Sequence, residues 1–449
     1  MREFFERHRL LLLYIIPGIF FAGYFSTPAA LVLSVIATFY LLKEGKHDSV
    51  ILLLVIALVF GDTRMYEFLF AKPLRIVMMV ILSAYSLWEF RLGYYQFNKL
   101  FLFFMPFFVV SLLALVFSPM LDLGISKTIS FALLYFLAFH YLYYRFRQHQ
   151  ITLLVDIMFM CHLVIFAGLV LLPIFPWMVS YGGLRYNGML GNPNGMGLFC
   201  VLVTPITIYV FEKVPGIAKR YKNLAWIALF LSLAMCSSRN SILSITIFWT
   251  LYFAFRGNSI KGLIFIFVVM PLATLFIMTV DFVALAQDLG LERYLRLQDI
   301  ESGSGRVHAW EFALELIEKN PIVGCGFACE EYNYLYRMNF RLLVTGHQGG
   351  VHNSYLAYLI NTGFVGSILY FGFLVAIFRF MKSYRITIPI AVSFAMSAMF
   401  ESWLFSSLNP FHILLLIIMV WFLVDSQTQD LLESKLVEKT VDPNVAFIQ

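Results

Sequence analysis

Residues 224–255 read LAWIALFLSLAMCSSRNSILSITIFWTLYFAF. Two apolar runs flank six small or polar residues, Cys236 to Ser241, and the permanent charge of Arg239 sits among them. Each run has the length of a short membrane helix, and the connection has room for little more than a turn, so the stretch reads as a helical hairpin. Hydrophobic residues make up 61% of the chain, charged residues only 13%, and the mean hydropathy is +0.83. A soluble domain is near half apolar and a quarter charged, so this is an integral membrane protein.

Outward from the hairpin, apolar runs of spanning character recur at 10–25, 28–42, 49–61, 73–90, 100–118, 127–144, 151–175, 196–212, 259–280, 353–378, 386–405 and 410–424. With the hairpin these predict an all-α polytopic membrane protein of about 12–14 transmembrane helices. The start, MREFFERHRLLLLYIIPGIFF, has the basic head and apolar body of a signal peptide. More apolar runs follow without a break, so it reads as an uncleaved first span.

Lysine and arginine set the orientation. They cluster in alternate connections: Arg2, Arg7 and Arg9; Lys43 and Lys46; Arg91 and Lys99; Arg145 and Arg147. The pattern continues with Lys213 to Lys222, Arg256 and Lys261, and Arg379 to Arg385. Both termini are therefore expected in the cytoplasm. The expected organisation is 1–280 as transmembrane helices, 281–351 as a long outer loop with helices, 352–425 as C-terminal spans and 426–449 as a cytoplasmic tail. The basic residues are scattered and form no stripe for a phosphate backbone, which argues against nucleic acid as a partner.

Three places on the outer face are polar against that rule: Arg185 in SYGGLRYNGMLGNPNGMG, Arg239, and the long segment before Val351. In that segment DFVALAQDLGLERYLRLQ, residues 281–298, is amphipathic and suits a membrane interface. SGSGRVHAWEFALELIEKNP then predicts a helix capped by Ser304 and stopped at Asn320-Pro321, with Val307, Trp310, Leu314 and Ile317 as its apolar face. Arg306 in its first turn suits an anion site and equally a solvated helix start. Arg239 suits a polar pocket and equally a snorkel to headgroups. His352, Asn353, Asn192 and Asn194 all fit capping or turn chemistry at helix starts. Cys325 and Cys329, on an oxidising face, suit a disulfide and equally two free thiols. None of the five cysteines has zinc spacing. Outer-loop carboxylates (Asp62, Glu67, Asp122) lie far apart in sequence, so no metal site is expected. Taken together, the arginines and one imidazole on one face suit an anionic substrate, such as a diphosphate, and a general base.

In order, RYNGMLGNPNGMG, SSRNS, SGRVHAWEFAL with NPIVGCGF, and HNSYL before a span resemble the O-antigen ligase and polymerase superfamily of bacterial inner-membrane glycosyltransferases. The resemblance covers roughly residues 180–380. It implies a helical periplasmic subdomain, an inverting metal-independent transfer without cofactor, and an active site on the periplasmic face of the inner membrane. The implied donor is an undecaprenyl-diphosphate-linked glycan, and the acceptor lipid A–core, another lipid-linked glycan or sometimes protein, all among membrane lipids. By position it assigns Arg239 and Arg306 to the donor diphosphate and His352 to the acceptor hydroxyl. Arg185, Asn192, Asn194 and Asn353 are expected to line the substrate site. Transport of a lipid-linked oligosaccharide is the rival class. It predicts charges deep in several spans, whereas only Asp156 and Glu401 stand out there.

Overall fold

The computed structural model describes residues 1–63, 68–175, 178–180, 185–256, 306–336 and 349–441. Within them every regular element is helical, apart from one isolated bridge between Val179 and Tyr186. The hairpin forms as expected: helices Lys219–Cys236 and Arg239–Arg256 are separated by Ser237 and Ser238 alone. Ser237 is left-handed at φ 48°, the conformation in which glycine commonly closes a helix.

Seven described helices combine the length and apolarity needed to cross a membrane, among them Ala71–Arg91, Ile151–Leu171, Pro193–Lys213 and Ser354–Arg379. Shorter apolar helices include Thr27–Lys43 and Tyr384–Phe400. The chain is an all-α, multi-pass membrane protein. The expected span at 259–280, the amphipathic stretch 281–298, Ser304 and Glu67 lie outside the described residues.

The run at 353–378 is not one uninterrupted helix. Gly363 breaks it with φ 62° and ψ −168°, and a Cβ there would lie 2.3 Å from the Ile322 carbonyl oxygen. The Asn320–Phe327 segment wedges into the break. Cys325 N donates to Ile360 O at 2.9 Å and Gly326 N to Asn361 O at 3.0 Å. In return Phe364 N donates to Pro321 O at 2.8 Å and Val365 N to Ile322 O at 3.1 Å. Irregular backbone at membrane depth is tolerated only where protein satisfies it, and the wedge does so. A Cys325–Cys329 disulfide closes the wedge, resolving the pairing that spacing left open.

Three further expectations are corrected. Helix Arg306–Lys319 buries Ala309, Ala313, Leu316 and Ile317, while Val307 and Leu314 are about half exposed. Alanines let this helix lie close against Ser354–Arg379; of the expected face Ile317 is buried and Trp310 packs on the core, while Val307 and Leu314 turn away. The run at 386–405 stops being helical at Phe400, because Glu401 is extended, with φ −146° and ψ 140°. The last helix instead continues past its apolar run, as Pro410–Val441.

Ion pairs gather at the two ends of the bundle, while neutral polar clusters such as His162 with Tyr221 and Thr207 sit within it. At the Lys/Arg-rich end Arg145 pairs with Glu89, His149 with Asp48, and His8 bonds Asp156 and Ser49. Glu89 thus joins Asp156 as a buried acid inside an expected span, though near its end. The opposite end holds the site.

Candidate functional site

Helix starts and stops bring the polar residues together. Asn192 caps Pro193–Lys213, its side chain accepting from Gly195 N at 2.7 Å, with proline at the first turn. Gly191 permits a tight approach to the end of helix His47–Asp62; its N–H donates to Asp62 Oδ2 at 3.2 Å. Asn353 caps Ser354–Arg379, accepting from Tyr355 N at 2.9 Å and Leu356 N at 3.1 Å. Both asparagines therefore do the capping that local sequence predicts, and Asn192 also faces the cavity described below.

The centre of the arrangement is Glu401. Its Oε1 accepts from Arg306 Nη2 at 3.0 Å and from Asn194 Nδ2 at 2.8 Å. Its Oε2 lies 3.4 Å from His352 Nδ1. Asn194 Oδ1 accepts in turn from Arg185 Nη2 at 2.8 Å. Arg185 also donates from Nε to Cys236 O at 3.1 Å, closing the C-terminal end of the hairpin's first helix. Four of the candidate site residues, Arg185, Asn194, Arg306 and His352, are thus joined through a carboxylate noted in the sequence only as a charge within a span.

His352 is held by its neighbours rather than by a helix. Its φ is 47°, a region that costs a non-glycine residue about 1–3 kcal/mol. Trp310 Nε1 donates to Val351 O at 3.0 Å and Glu330 Oε1 accepts from Val351 N at 2.9 Å, so both polar groups of the preceding residue are fixed. Gly349 leaves room for the ring: a Cβ there would stand 3.0 Å from His352 Nε2. With Nδ1 facing a carboxylate, the tautomer protonated at Nδ1 leaves Nε2 as the basic nitrogen.

Arg239 is set apart. It opens helix Arg239–Arg256 on an exposed surface, outside the residues that line the cavity. The same end of the bundle still carries it. Asn240 Nδ2 donates to Ser397 O at 3.2 Å, one helical turn before Glu401, and Ser393 Oγ donates to Ser244 O at 2.8 Å.

A cavity of about 390 Å³ opens beside His352 and Glu401. Asp62, Glu330, Glu331 and Lys127 line it as well, together with Trp403 and Phe405. Of the three outer-loop carboxylates weighed in the sequence, Asp62 lines it, Asp122 does not, and Glu67 lies outside the described residues. Among the described residues, though, no three His, Cys, Asp or Glu side chains are grouped to hold a metal ion. Burial pushes the Glu330 carboxyl above its ordinary range, against the opposing pull of Lys127, the Val351 N–H and His352.

Glu401, Lys127 and Glu330 were missed in the sequence. Glu401 gave a signal as an acid inside an apparent span, but nothing local says that the helix ends before it. Lys127 and Glu330 meet across some two hundred residues of chain, which no local pattern reveals.

Residues 224–371 match the O-antigen ligase family, Wzy_C. Over that segment the chain is similar to the O-antigen ligase and polymerase superfamily, as its motifs suggested. The matched segment includes the hairpin, Arg239, Arg306, His352 and Asn353; Lys127, Arg185, Asn194 and Glu401 fall outside it. No curated protein matches the chain. The match supports a membrane enzyme of the O-antigen ligase and polymerase type in general.

Proposed function

We propose that this protein transfers a glycan from undecaprenyl diphosphate to an acceptor hydroxyl at the periplasmic face of the bacterial inner membrane. The observation that carries the reading is the convergence of Arg306, Asn194 and His352 on Glu401 within one end of the bundle. That end lies opposite the Lys/Arg-rich connections, which the charge rule assigns to the cytoplasm.

In the proposed step the acceptor oxygen attacks the anomeric carbon from the face opposite the diphosphate. The glycosyl–oxygen bond breaks, its electron pair leaves with undecaprenyl diphosphate, and the configuration inverts. The acceptor proton passes to His352 Nε2, while Glu401 holds the imidazole by Nδ1 and stabilises its charged form. Arg306 and Arg239 neutralise the leaving diphosphate, Arg239 from the surface where a lipid presents its headgroup. Arg185, Asn192, Asn194 and Asn353 shape the substrate site through the contacts given above. No metal takes part, so transfer by purified protein persists in excess EDTA; loss restored by magnesium would refute this.

The acceptor is lipid A–core or a second lipid-linked glycan, and the glycan profile of a deletion strain separates the two. Unmodified core alone identifies a ligase, and core bearing a single repeat identifies a polymerase. A wild-type profile would contradict both.

A further inference from the structure

The cavity next to His352 has a charge pattern unsuited to a diphosphate. Among the described residues, four carboxylates (Asp62, Glu330, Glu331 and Glu401) and one lysine line it, whereas Arg185, Arg239 and Arg306 do not. With Lys127 already paired to Glu331 and Arg306 to Glu401, the described wall offers an oxyanion no spare cation, and Asp62 opposes it. The wall suits a different ligand. Carboxylates accept hydrogen bonds from hydroxyls, asparagine side chains both accept and donate them, and Trp403 and Phe405 supply the apolar part of the wall.

Lys127 is the unusual member. It rises from helix Leu121–Phe136, an expected span, and forms an ion pair with Glu331. Its Nζ also stands 5.2 Å from the Phe405 ring centroid, and about a fifth of its side chain is exposed, toward the cavity it lines. The pair is incompletely satisfied: Glu331 Oε2 is buried and has no hydrogen-bond partner among the described residues. A buried carboxylate oxygen without a donor calls for one, and a ligand hydroxyl supplies it.

We propose that this cavity is the acceptor subsite, that it takes a neutral, hydroxyl-rich sugar ring, and that the Lys127–Glu331 pair is its specificity-determining contact. The inference rests on the glycosyl-transfer reading and divides the site in two. The donor diphosphate lies on the arginine side of Glu401, and the acceptor sugar lies on the carboxylate side, with His352 between them. Uronate or phosphorylated rings are rejected by the surrounding acids.

The test uses the full-length protein in liposomes, with donor and acceptor lipids extracted from the native host. Rates are measured against each lipid separately. Lys127→Met is expected to raise the acceptor KM about tenfold, the effect of losing one charge-assisted hydrogen bond, with the donor KM essentially unchanged. Because that variant strands Glu331, Lys127→Met/Glu331→Gln is measured beside it, with thermal unfolding as the control for folding. A rise in donor KM alone would assign Lys127 to the diphosphate and overturn the proposal. Unchanged KM values in the folded double variant would make the pair a structural tie and overturn it too. Neutral methyl hexosides are expected to compete with the acceptor better than the matching methyl hexuronides; equal or reversed competition contradicts the charge argument. Failure of the wild-type protein to transfer glycan at all would instead remove the activity on which the subsite depends.

Discussion

Replacing Glu401 by glutamine keeps the size of the side chain and removes its charge. Glu401 makes three contacts through two oxygens: Arg306 at 3.0 Å and Asn194 at 2.8 Å on one, and His352 at 3.4 Å on the other. Glutamine has one oxygen, so its NH2 must oppose either the His352 N–H or the Arg306 and Asn194 donors. Removing one partner of a fully buried ion pair costs about 3–5 kcal/mol. Here Arg306 and Glu401 are 24% and 17% exposed, so water recovers part of that, and a stability loss of about 1–3 kcal/mol is expected. The rate should suffer more. Loss of the carboxylate that orients a catalytic imidazole costs about 10⁴ in a serine protease triad, where the contact is fully buried. A longer, partly exposed contact argues for a transfer rate lower by about 10²–10³. The assay is glycan transfer by reconstituted protein, with donor binding and thermal unfolding measured on the same preparations. A folded Glu401→Gln protein that transfers at close to the wild-type rate would refute the role given to this carboxylate.

Other outcomes follow from the same geometry. Arg306→Lys and Arg239→Lys retain charge but lose the planar fork, and each is expected to lower transfer about 10²–10³-fold, with alanine worse; unimpaired lysine variants would separate these residues from the diphosphate. Gly363→Ala forces a Cβ against Ile322 O at a backbone angle that side chains avoid, so a loss of about 3 kcal/mol or more, or no folded protein, is expected in thermal unfolding. Glu330 holds its proton more tightly folded than unfolded, so its contribution to stability is present below about pH 4.5 and lost as pH rises through the raised folded value. Glu330→Gln should flatten that decline in a pH series of melting temperatures; an unchanged pH slope would contradict the assignment.

Much of this architecture was legible because membrane physics leaves few choices. The apolar runs located the helices, and Asn192 and Asn353 announced themselves as caps by rules that act within three or four residues. Arg306 was singled out by its place in the first turn of an outer-segment helix and His352 by opening a span, and the structure adds what joins them. The failures share one cause. The end of a helix at Glu401 is set by Ser354 Oγ donating to Glu401 O and by Ser402 Oγ accepting from Asn353 N, contacts with a segment some fifty residues earlier. The break at Gly363 exists only because the Asn320–Phe327 wedge fills it, and glycine is common enough in membrane helices to give no warning. The apolar face of Arg306–Lys319 was half right: Ile317 and Trp310 pack inward, but Val307 and Leu314 do not. A close helix–helix contact put Ala309 and Ala313 on that face beside Leu316 and Ile317.

The central claim is that His352 accepts the proton of an incoming hydroxyl. It is tested most directly by single-turnover glycan transfer with His352→Ala and with His352→Asn, the second chosen because asparagine tolerates the left-handed backbone found there. Both proteins are expected to fold, to bind the donor lipid nearly as well as wild type, and to transfer at rates lower by about 10²–10⁴. Transfer by either folded variant at close to the wild-type rate would contradict the claim and leave His352 as a structural partner of Glu401 alone.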